Sequence, residues 1–485
     1  MSQVRLEIDG REVEVEAGKT ILEAAKSIGT DIPTLCYHPL VAPFGACRLC
    51  SVKITKRGRS KIVTSCNYPV EEGLIVETKS PDIIEIRKML IEFLLARCPT
   101  VEIIKDLADE YGVGEPRFPR EDETCILCGL CTRICDECVG VSAINFVDRG
   151  VDRKIEGPLE EPLGVNLSEV CIGCGACAYV CPTGTIKLED VYKKIRSSFP
   201  FAAIEERTFG RRRAEDEILG IYKNCYAVRS TDDKVLIKAQ DGGAVTALLA
   251  YALDEGLIDC AAITVANGNW EPSAKIVRNY DDLLEGAGTK YTHYPSGIGV
   301  IEAAAAGCED IGFVGTPCQI GGLRKIITSD QPYAIDKERI KLLIGLFCME
   351  TFKQELMDYI RENVLALEDV KKLDIKGKEL RVYDREGTLH VVPFDDIEGY
   401  GNTGCFACPD YTAELADISV GSVGSEPGWS TVFTRTDKGE ELLRGAIERG
   451  YVKVEEKVDL GEIERLTKFK RRRAARETSE SQVRE

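Results

Sequence analysis

The residues of this chain whose type and spacing can do chemistry are its cysteines. Between positions 125 and 182 one pattern is written twice, first as Cys125, Cys128, Cys131 and Cys135, then as Cys171, Cys174, Cys177 and Cys181 followed by Pro182. Each run is C-x2-C-x2-C-x3-C. Three thiolates two residues apart can wrap one face of an iron-sulfur cubane, while the fourth, displaced by one more residue, points away from it. Where a chain carries two such runs, the fourth thiolate serves the other cluster. The spacing therefore predicts one 4Fe-4S cluster on Cys125, Cys128, Cys131 and Cys181, and a second on Cys171, Cys174, Cys177 and Cys135. Gly129, Gly173, Gly175 and Ala176 let the backbone bend around inorganic sulfide and aim amides at it. Zinc also binds paired C-x2-C units, but it takes four thiolates per site and has no use for two tandem runs.

The elements that must position these thiols belong to a long, acidic chain. At 485 residues it exceeds a single core, and roughly 100 to 200 residues per domain suggests about three domains. The composition, 44% apolar and 30% charged, is that of a globular protein. A net charge of -18 leaves no basic face to neutralise phosphates, which argues against nucleic acid as a partner. The local exceptions are Arg211 to Arg213 and a tail with Lys468, Lys470, Arg471, Arg472, Arg473 and Arg476; these read as solvated or disordered, ahead of a docking strip for an acidic partner. Twenty-one cysteines in metal-ligand spacings imply a reducing compartment rather than a disulfide scaffold. The N-terminus has no basic region followed by an apolar leader. No apolar run approaches the roughly 18 residues needed to cross a bilayer. The expectation is a cytoplasmic protein without a membrane span.

Alternating residues 4–9 and 12–16 around Asp9-Gly10 predict a hairpin, and a helix follows from about Thr20 to Ser27. Hairpin, helix and then a cysteine loop is the order of a β-grasp 2Fe-2S ferredoxin. Its ligands would be Cys36, Cys47, Cys50 and Cys66, with a first gap longer than in plant-type ferredoxins. The stretch Leu35-Cys-Tyr-His-Pro39 with Gly45-Ala-Cys-Arg-Leu-Cys50 resembles the N-terminal 2Fe-2S domain of the large iron-sulfur subunit of respiratory complex I. Iron-only hydrogenases and NAD-linked hydrogenase diaphorase subunits share that module. His38 reads as a turn residue beside Pro39. Ser80-Pro81 opens an apolar helix reaching about Cys98. The resembled subunits bind a further cluster beyond this helix through a histidine and three cysteines; residues 96–104 offer only Cys98, so that cluster is expected to be missing. Cys98, Cys138, Cys225, Cys260 and Cys308 read as small buried residues.

Beyond the basic stretch, helices alternate with apolar strands: helix 244–255, strands 258–265, 311–314 and 340–346, helix 351–362, a hairpin around 385–387, and a late helix 436–449. That alternation argues for an α/β domain. Neither G-x-G-x-x-G after a strand nor G-x-x-x-x-G-K-[ST] occurs, so no conventional dinucleotide fold or P-loop is signalled. Gln240-Asp-Gly-Gly243 opens a helix whose bare amides suit a pyrophosphate, and the same Gly pair before a helix ordinarily reads as a plain turn. Cys318, Cys348, Cys405 and Cys408 could hold one more cluster; a redox-active Cys405/Cys408 pair or unrelated buried thiols are the alternatives.

Five strings then bear on this half: Q-D-G-G-A-V-T at 240–246, G-T-K-Y at 288–291, V-G-T-P-C-Q-I-G-G-L-R-K at 314–325, G-L-F-C at 345–348 and A-D-I-S-V-G at 416–421. In this order they resemble the family of coenzyme F420 hydrogenase/dehydrogenase beta subunits, over roughly residues 220 to 455. The resemblance implies FAD and a third 4Fe-4S cluster, the latter on Cys318, Cys348, Cys405 and Cys408. It implies FAD phosphates near Gly242, Gly243, Thr246, Thr289, Lys290 and Tyr291. One departure is Ser422, where many relatives are expected to carry aspartate, and it bears on substrate identity.

The resulting expectation is a multidomain α+β and α/β chain: a β-grasp 2Fe-2S ferredoxin at 1–79, a helical connector at 80–118, a two-cluster bacterial ferredoxin at 119–190, a basic linker at 191–218, an α/β flavin domain at 219–460 and a basic tail at 461–485. Its function would be hydride exchange with coenzyme F420 through FAD, with single electrons relayed through one 2Fe-2S and three 4Fe-4S clusters. FAD can exchange electrons in pairs or singly, which is what such a conversion needs. The catalytic partner would be a hydrogenase, formate dehydrogenase or heterodisulfide reductase type subunit. Alternatives are an adaptor between proteins without F420 activity, and a reductase of another organic substrate.

Overall fold

The computed structural model describes residues 3–156, 170–197, 199–331 and 333–482. The chain is a mixed α/β multidomain protein that divides into two units: Met1–Cys138 with Ile144–Glu156 and Val180–Lys187, and Val139–Ala143 with Gly157–Tyr179 and Leu188–Glu485.

The first unit is built on a five-stranded sheet in the order Arg11–Glu16, Gln3–Ile8, Leu74–Glu77, Ser51–Lys56, Arg59–Thr64. Only the pair Gln3–Ile8 and Leu74–Glu77 is parallel. The hairpin forms where alternation predicts, with Val13 and Val15 buried and Gly10 at φ 81 in the turn. Thr20 caps the helix Ile21–Ser27 in a reciprocal capping box with Glu23. That helix buries Ile21, Leu22, Ala24 and Ala25 against Leu6, Ile8, Val52 and Ile54. Pro81 opens the helix Pro81–Arg97, whose Arg87 is buried and donates to the carbonyl oxygens of Leu49 and Ser51, both at 3.0 Å. This bolts the helix to the segment that carries Cys50.

The second unit contains an eight-stranded sheet ordered Pro272–Val277, Cys260–Ala266, Ile311–Gly315, Ile340–Leu346, Ile418–Gly421, Ser430–Thr434, Asn224–Ser230, Val452–Glu455. The four strands from Cys260–Ala266 to Ile418–Gly421 are parallel and the outer ones antiparallel. The parallel strands read as apolar runs because helices such as Ala244–Asp254 and Pro317–Thr328 pack beside them. A separate antiparallel sheet, Val370–Lys376, Glu379–Asp384 and Leu389–Pro393, shares a core with Phe352, Leu356, Met357 and Ile360.

Three expectations are corrected here. The basic tail is not solvated coil: residues Leu460–Gln482 form a helix that buries Ile463, Thr467, Lys470 and Ala474. Around the basic stretch stand the helices Leu188–Ser197 and Phe201–Phe209; Arg211 and Arg212 are exposed as expected, but Arg213 pairs with the buried carboxylates of Glu205 and Glu414 rather than with water. Cys260 and Cys308 are more than two separate small buried residues; strand pairing brings them together as a disulfide 48 residues apart.

Candidate functional site

In the first unit the thiols of Cys36, Cys47, Cys50 and Cys66 converge. The Cys47 amide donates to Sγ of Cys36 at 3.3 Å. A hydrogen bond between the same two thiols holds Cys47 down at about 6 and pushes Cys36 up. Cys50 and Cys66 share the same arrangement, which brings Cys50 to about 7 and raises Cys66. The turn that delivers these thiols needs left-handed residues, Gly45 at φ 73 and Arg48 at φ 61. His38 serves the turn, as its place beside Pro39 suggests: its Nδ1 accepts from the Leu40 amide at 3.3 Å. Cys98 is fully buried among apolar neighbours, and the Cys138 thiol donates to the Leu40 carbonyl at 2.9 Å.

Cys125, Cys128, Cys131 and Cys181 also belong to the first unit. Burial raises Cys128 to about 11 and Cys131 to about 12, and nearby Cys181 adds to both, as it does at Cys125. Cys135 is buried in this unit, whereas Cys171, Cys174 and Cys177 lie in the second. The repeat in sequence is a repeat in geometry: the Leu127 amide donates to Sγ of Cys125, and the Gly173 amide to Sγ of Cys171, both at 3.4 Å. Amides aimed at sulfur are what an anionic thiolate-bound cluster needs. At Gly129 the backbone is left-handed at φ 72, which calls for glycine, and a Cβ would also press on Phe146 Cζ at 3.0 Å.

In the second unit the ends of two adjacent parallel strands supply two thiols, where α/β sheets present their ligand loops. Strand Ile311–Gly315 leads into the helix Pro317–Thr328 and its Cys318; strand Ile340–Leu346 runs into Phe347 and Cys348. Cys405 lies in the short 3-10 turn Thr403–Ala407, with Cys408 just after it. Burial, then the nearby thiols of Cys405, Cys318 and Cys408, push Cys348 well up. Cys405, also buried, rises to about 11. Four thiols brought within electrostatic reach of one another form a donor set that fits a cubane. Lys470 joins them: burial works against its charge, but Cys408, Cys348, Cys405 and Asp410 outweigh it and hold its pKa above the ordinary lysine value.

The helix carrying Cys318 also holds the start of the second cysteine run, at Cys171 and Cys174. Gln319 Nε2 donates to the Cys174 carbonyl and Lys325 Nζ to the Cys171 carbonyl, both at 2.9 Å. Between them Gly322 lies so close that a Cβ would stand 3.0 Å from the Ile172 carbonyl oxygen. Residues 319, 322 and 325 form one helical face, and that face seats the 171–174 loop.

Beside the C-terminal thiols is a cavity of about 350 Å³, within the roughly 300–1,000 Å³ of small-molecule sites. Gly243, Thr246, Thr289, Lys290 and Tyr291 line it, as does Ser422. Gly242 does not. A Cβ there would lie 2.3 Å from the Val228 carbonyl oxygen and 2.5 Å from the Ser430 amide, so this glycine serves the packing of two strands. Gly243, at φ 71, is the N-cap of the helix Ala244–Asp254, whose first turn faces the cavity. Lys290 donates to the carbonyls of Gly286, Ala287 and Gly288 at 2.6, 3.1 and 3.2 Å, and burial lowers its pKa to about 8. Tyr291 accepts from the Ile375 amide at 3.2 Å. The helix start at Gly243, the threonine hydroxyls and the Lys290 ammonium fit the anionic end of a ligand.

The sequence reading missed the residues that join cavity and thiols. Thr351 lines the cavity, donates its amide to Sγ of Cys405 at 3.4 Å, and places Oγ1 3.5 Å from Nδ1 of His293. Thr316 lines the cavity with its Oγ1 3.2 Å from Sγ of Cys318. His293 is half-buried in the lining, its buried Nε2 unpartnered among the described residues, and desolvation lowers it to about 4. A lone histidine inside a strand-poor stretch gave no signal in sequence.

Comparison with known proteins gives matches to four family models. Residues 1–81 match the 2Fe-2S iron-sulfur cluster binding domain and residues 124–185 the 4Fe-4S dicluster domain. Residues 225–301 and 308–459 match the N-terminal and C-terminal parts of the coenzyme F420 hydrogenase/dehydrogenase beta subunit, the latter ending just before the helix Leu460–Gln482. The coenzyme F420 hydrogenase subunit beta of Methanothermobacter thermautotrophicus is 42% identical over 265 residues, which is 53% of this chain and 94% of that protein. The coenzyme F420-dependent sulfite reductase of Methanocaldococcus jannaschii is 35% identical over 326 residues, 64% of this chain and 50% of that protein. Among solved structures, a chain of the F420-reducing NiFe hydrogenase complex from Methanosarcina barkeri matches with a TM-score of 0.53 and 36% identity, over 55% of this chain and 95% of that one.

Proposed function

The chain belongs to the family of coenzyme F420 hydrogenase/dehydrogenase beta subunits, and on that premise we propose that it exchanges hydride with coenzyme F420 through FAD and relays single electrons to or from a catalytic partner. It is an iron-sulfur oxidoreductase with 2Fe-2S and 4Fe-4S ferredoxin-type domains joined to the family's F420-linked half. The single observation that carries the reading is the shared wall: Thr316 and Thr351 each line the cavity and each touch a thiol of the Cys318, Cys348, Cys405 and Cys408 set.

Bound FAD would supply the conversion between paired and single electrons. Gly243 and Thr246 at the helix start, with Thr289, Lys290 and Tyr291, would hold its anionic part, since bare amides and a fixed cation suit a pyrophosphate. Cys318, Cys348, Cys405 and Cys408 would hold a 4Fe-4S cluster against that cavity. Gln319 and Lys325 then hold the loop of Cys171 and Cys174, so one rigid helix spaces two neighbouring clusters. By sequence spacing that second cluster takes Cys135 with Cys171, Cys174 and Cys177; Cys125, Cys128, Cys131 and Cys181 take the third cubane, and Cys36, Cys47, Cys50 and Cys66 the 2Fe-2S cluster. The partner is a catalytic subunit of hydrogenase, formate dehydrogenase or heterodisulfide reductase type. No helix among the described residues is long and apolar enough to cross a membrane.

Ser422 in the cavity wall favours one second reading, a reductase of a different organic substrate, because that position bears on what lies over the flavin. The deciding experiment is activity of the anaerobically reconstituted chain with FAD. It should oxidise reduced F420 with viologen as acceptor and ignore NADH. A flavin bleached by NADH but untouched by reduced F420 would reverse the substrate assignment.

A further inference from the structure

The C-terminal helix Leu460–Gln482 contains a charge where its fold asks for an apolar residue. Ile463, Thr467, Lys470 and Ala474 recur at helical spacing and all four are buried, Lys470 to 1% exposure. An ammonium removed from water is costly unless acceptor dipoles and negative charge answer it. Nζ of Lys470 donates to the carbonyl oxygen of Cys348. The titratable groups that act on it are Cys408, Cys348, Cys405 and Asp410, and three of these four are cysteines of the C-terminal set, whose sulfurs turn anionic when they bind iron. Asp410 is already engaged, accepting from the Glu414 amide at 3.2 and 3.1 Å.

Neighbours on the helix keep the lysine in place. Arg471 pairs with Glu414 at 2.8 Å. Arg473 pairs with Glu350 at 2.8 Å, donates to the Met349 carbonyl at 3.0 Å and stacks its guanidinium 4.6 Å from the Phe406 ring centroid. Residues 349, 350 and 406 directly follow Cys348 and Cys405, so the helix is fastened at the cysteine loops themselves. A lysine anchored on both sides cannot withdraw to solvent. Four thiolates around iron and sulfide carry net negative charge, and reduction adds one more electron. A buried cation beside them, unscreened by salt, favours the reduced state and raises the potential.

We propose that Lys470 is the charge-compensating residue of the Cys318, Cys348, Cys405 and Cys408 site, a tuning residue that raises that cluster's reduction potential above what four thiolates alone would set. The inference rests on the cluster assignment made under the proposed function.

The test is an EPR-monitored redox titration of the reconstituted full chain, with this cluster's signal identified as the one lost in Cys405→Ser. In Lys470→Met, at the parent's midpoint, the reduced-to-oxidised ratio should fall at least tenfold, about 59 mV for one electron, with iron content unchanged. Lys470→Arg should restore the ratio. An unchanged ratio in Lys470→Met at full iron content overturns the proposal. If Lys470→Met loses this cluster's iron, Lys470→Gln and Lys470→Arg decide: iron lost with glutamine and kept with arginine shows that the charge is required, and iron lost in both shows packing alone and overturns it. No signal in the parent that Cys405→Ser removes overturns the cluster assignment itself, and the inference with it.

Discussion

Arg324 and Asp417 form a buried ion pair, Nη2 to Oδ1 at 2.9 Å, that locks the helix carrying Cys318 to the strand Ile418–Gly421. Arg324 also donates to the Leu415 carbonyl at 2.8 Å, and Asp417 accepts from the Leu343 amide at 2.8 Å and from Thr436 Oγ1 at 2.9 Å. Burial alone would raise the carboxyl, yet the guanidinium keeps it below the usual carboxylate range. Its stabilisation is therefore full above the unfolded value near roughly pH 4 and lost as pH falls through the lower folded value. Asp417→Ala strands the arginine in the interior and should cost about 3–5 kcal/mol at neutral pH. Urea unfolding measures this. The double variant with Arg324→Leu should lose less than the two single losses summed, because neither charge is then left alone.

Anaerobic iron and acid-labile sulfide analysis should find about fourteen irons per chain, from one 2Fe-2S and three 4Fe-4S clusters. Stoichiometric zinc, or about eight irons or fewer, would refute the ligand assignments.

Most of the fold was legible because its elements carry strong local signals. The strand Ile340–Leu346 has the bounds its apolar run predicts, and the helix Ala244–Asp254 begins where Gly243 ends a turn. The expected helix from residue 351 starts only at Glu355, because Phe352 is taken into bridges with Thr292 and Gly401. The C-terminal helix was unreadable for a physical reason. Its buried face runs Ile463, Thr467, Lys470, Ala474, and a lysine and a threonine in that stripe erase the apolar period. The eight cysteines of the double run announce themselves by spacing; His293, Thr316 and Thr351 do not, since only the sheet brings them beside Cys318 and Cys405.

Gly175, at φ 77, sits in a conformation that side chains rarely adopt, and a Cβ there would also force the Leu188 Cδ1, 2.4 Å away, to shift. The left-handed conformation alone costs a non-glycine residue about 1–2 kcal/mol. Gly175→Ala should therefore lower occupancy of the cluster proposed on Cys171, Cys174 and Cys177. Gly184, at φ 63 with nothing within 4 Å of its Cβ position, is the control. Equal iron loss in both alanine variants would show that conformation, not the contact with Leu188, decides.

Replacing Cys405 and Cys408 together by serine should separate the two halves of the proposed reaction. Flavin reduction by reduced F420 should persist, because the residues lining the cavity remain. Reduction of the remaining clusters should slow at least a hundredfold in stopped-flow absorbance, about 2.7 kcal/mol of barrier. Cluster reduction at the parent rate would mean that electrons leave the cavity by another route.

Lys290 supplies a pH test of the flavin assignment. Its ammonium is held by three carbonyl oxygens at the cavity wall, and burial lowers its pKa to about 8. Below that value it is a fixed cation; above it the charge is gone. A bound diphosphate favours the charged form and so lifts the pKa in the complex. FAD affinity should then be flat below about pH 7, fall as pH rises through about 8, by at most tenfold per pH unit, and level off once the complex too has lost the proton. Two other ionisable groups lining the cavity do not mimic this, for Tyr291 is pushed up by burial and His293 is pushed down to about 4. Lys290→Met should bind FAD more weakly at neutral pH and with no such fall, while its unfolding stability should no longer rise with pH between about 8 and 10, the window where the unfolded lysine still holds a proton that the folded one has lost. Fluorescence titration of FAD at a series of pH values, beside urea unfolding at the same values, measures both. An identical pH profile in the parent and in Lys290→Met would remove the lysine from the flavin site.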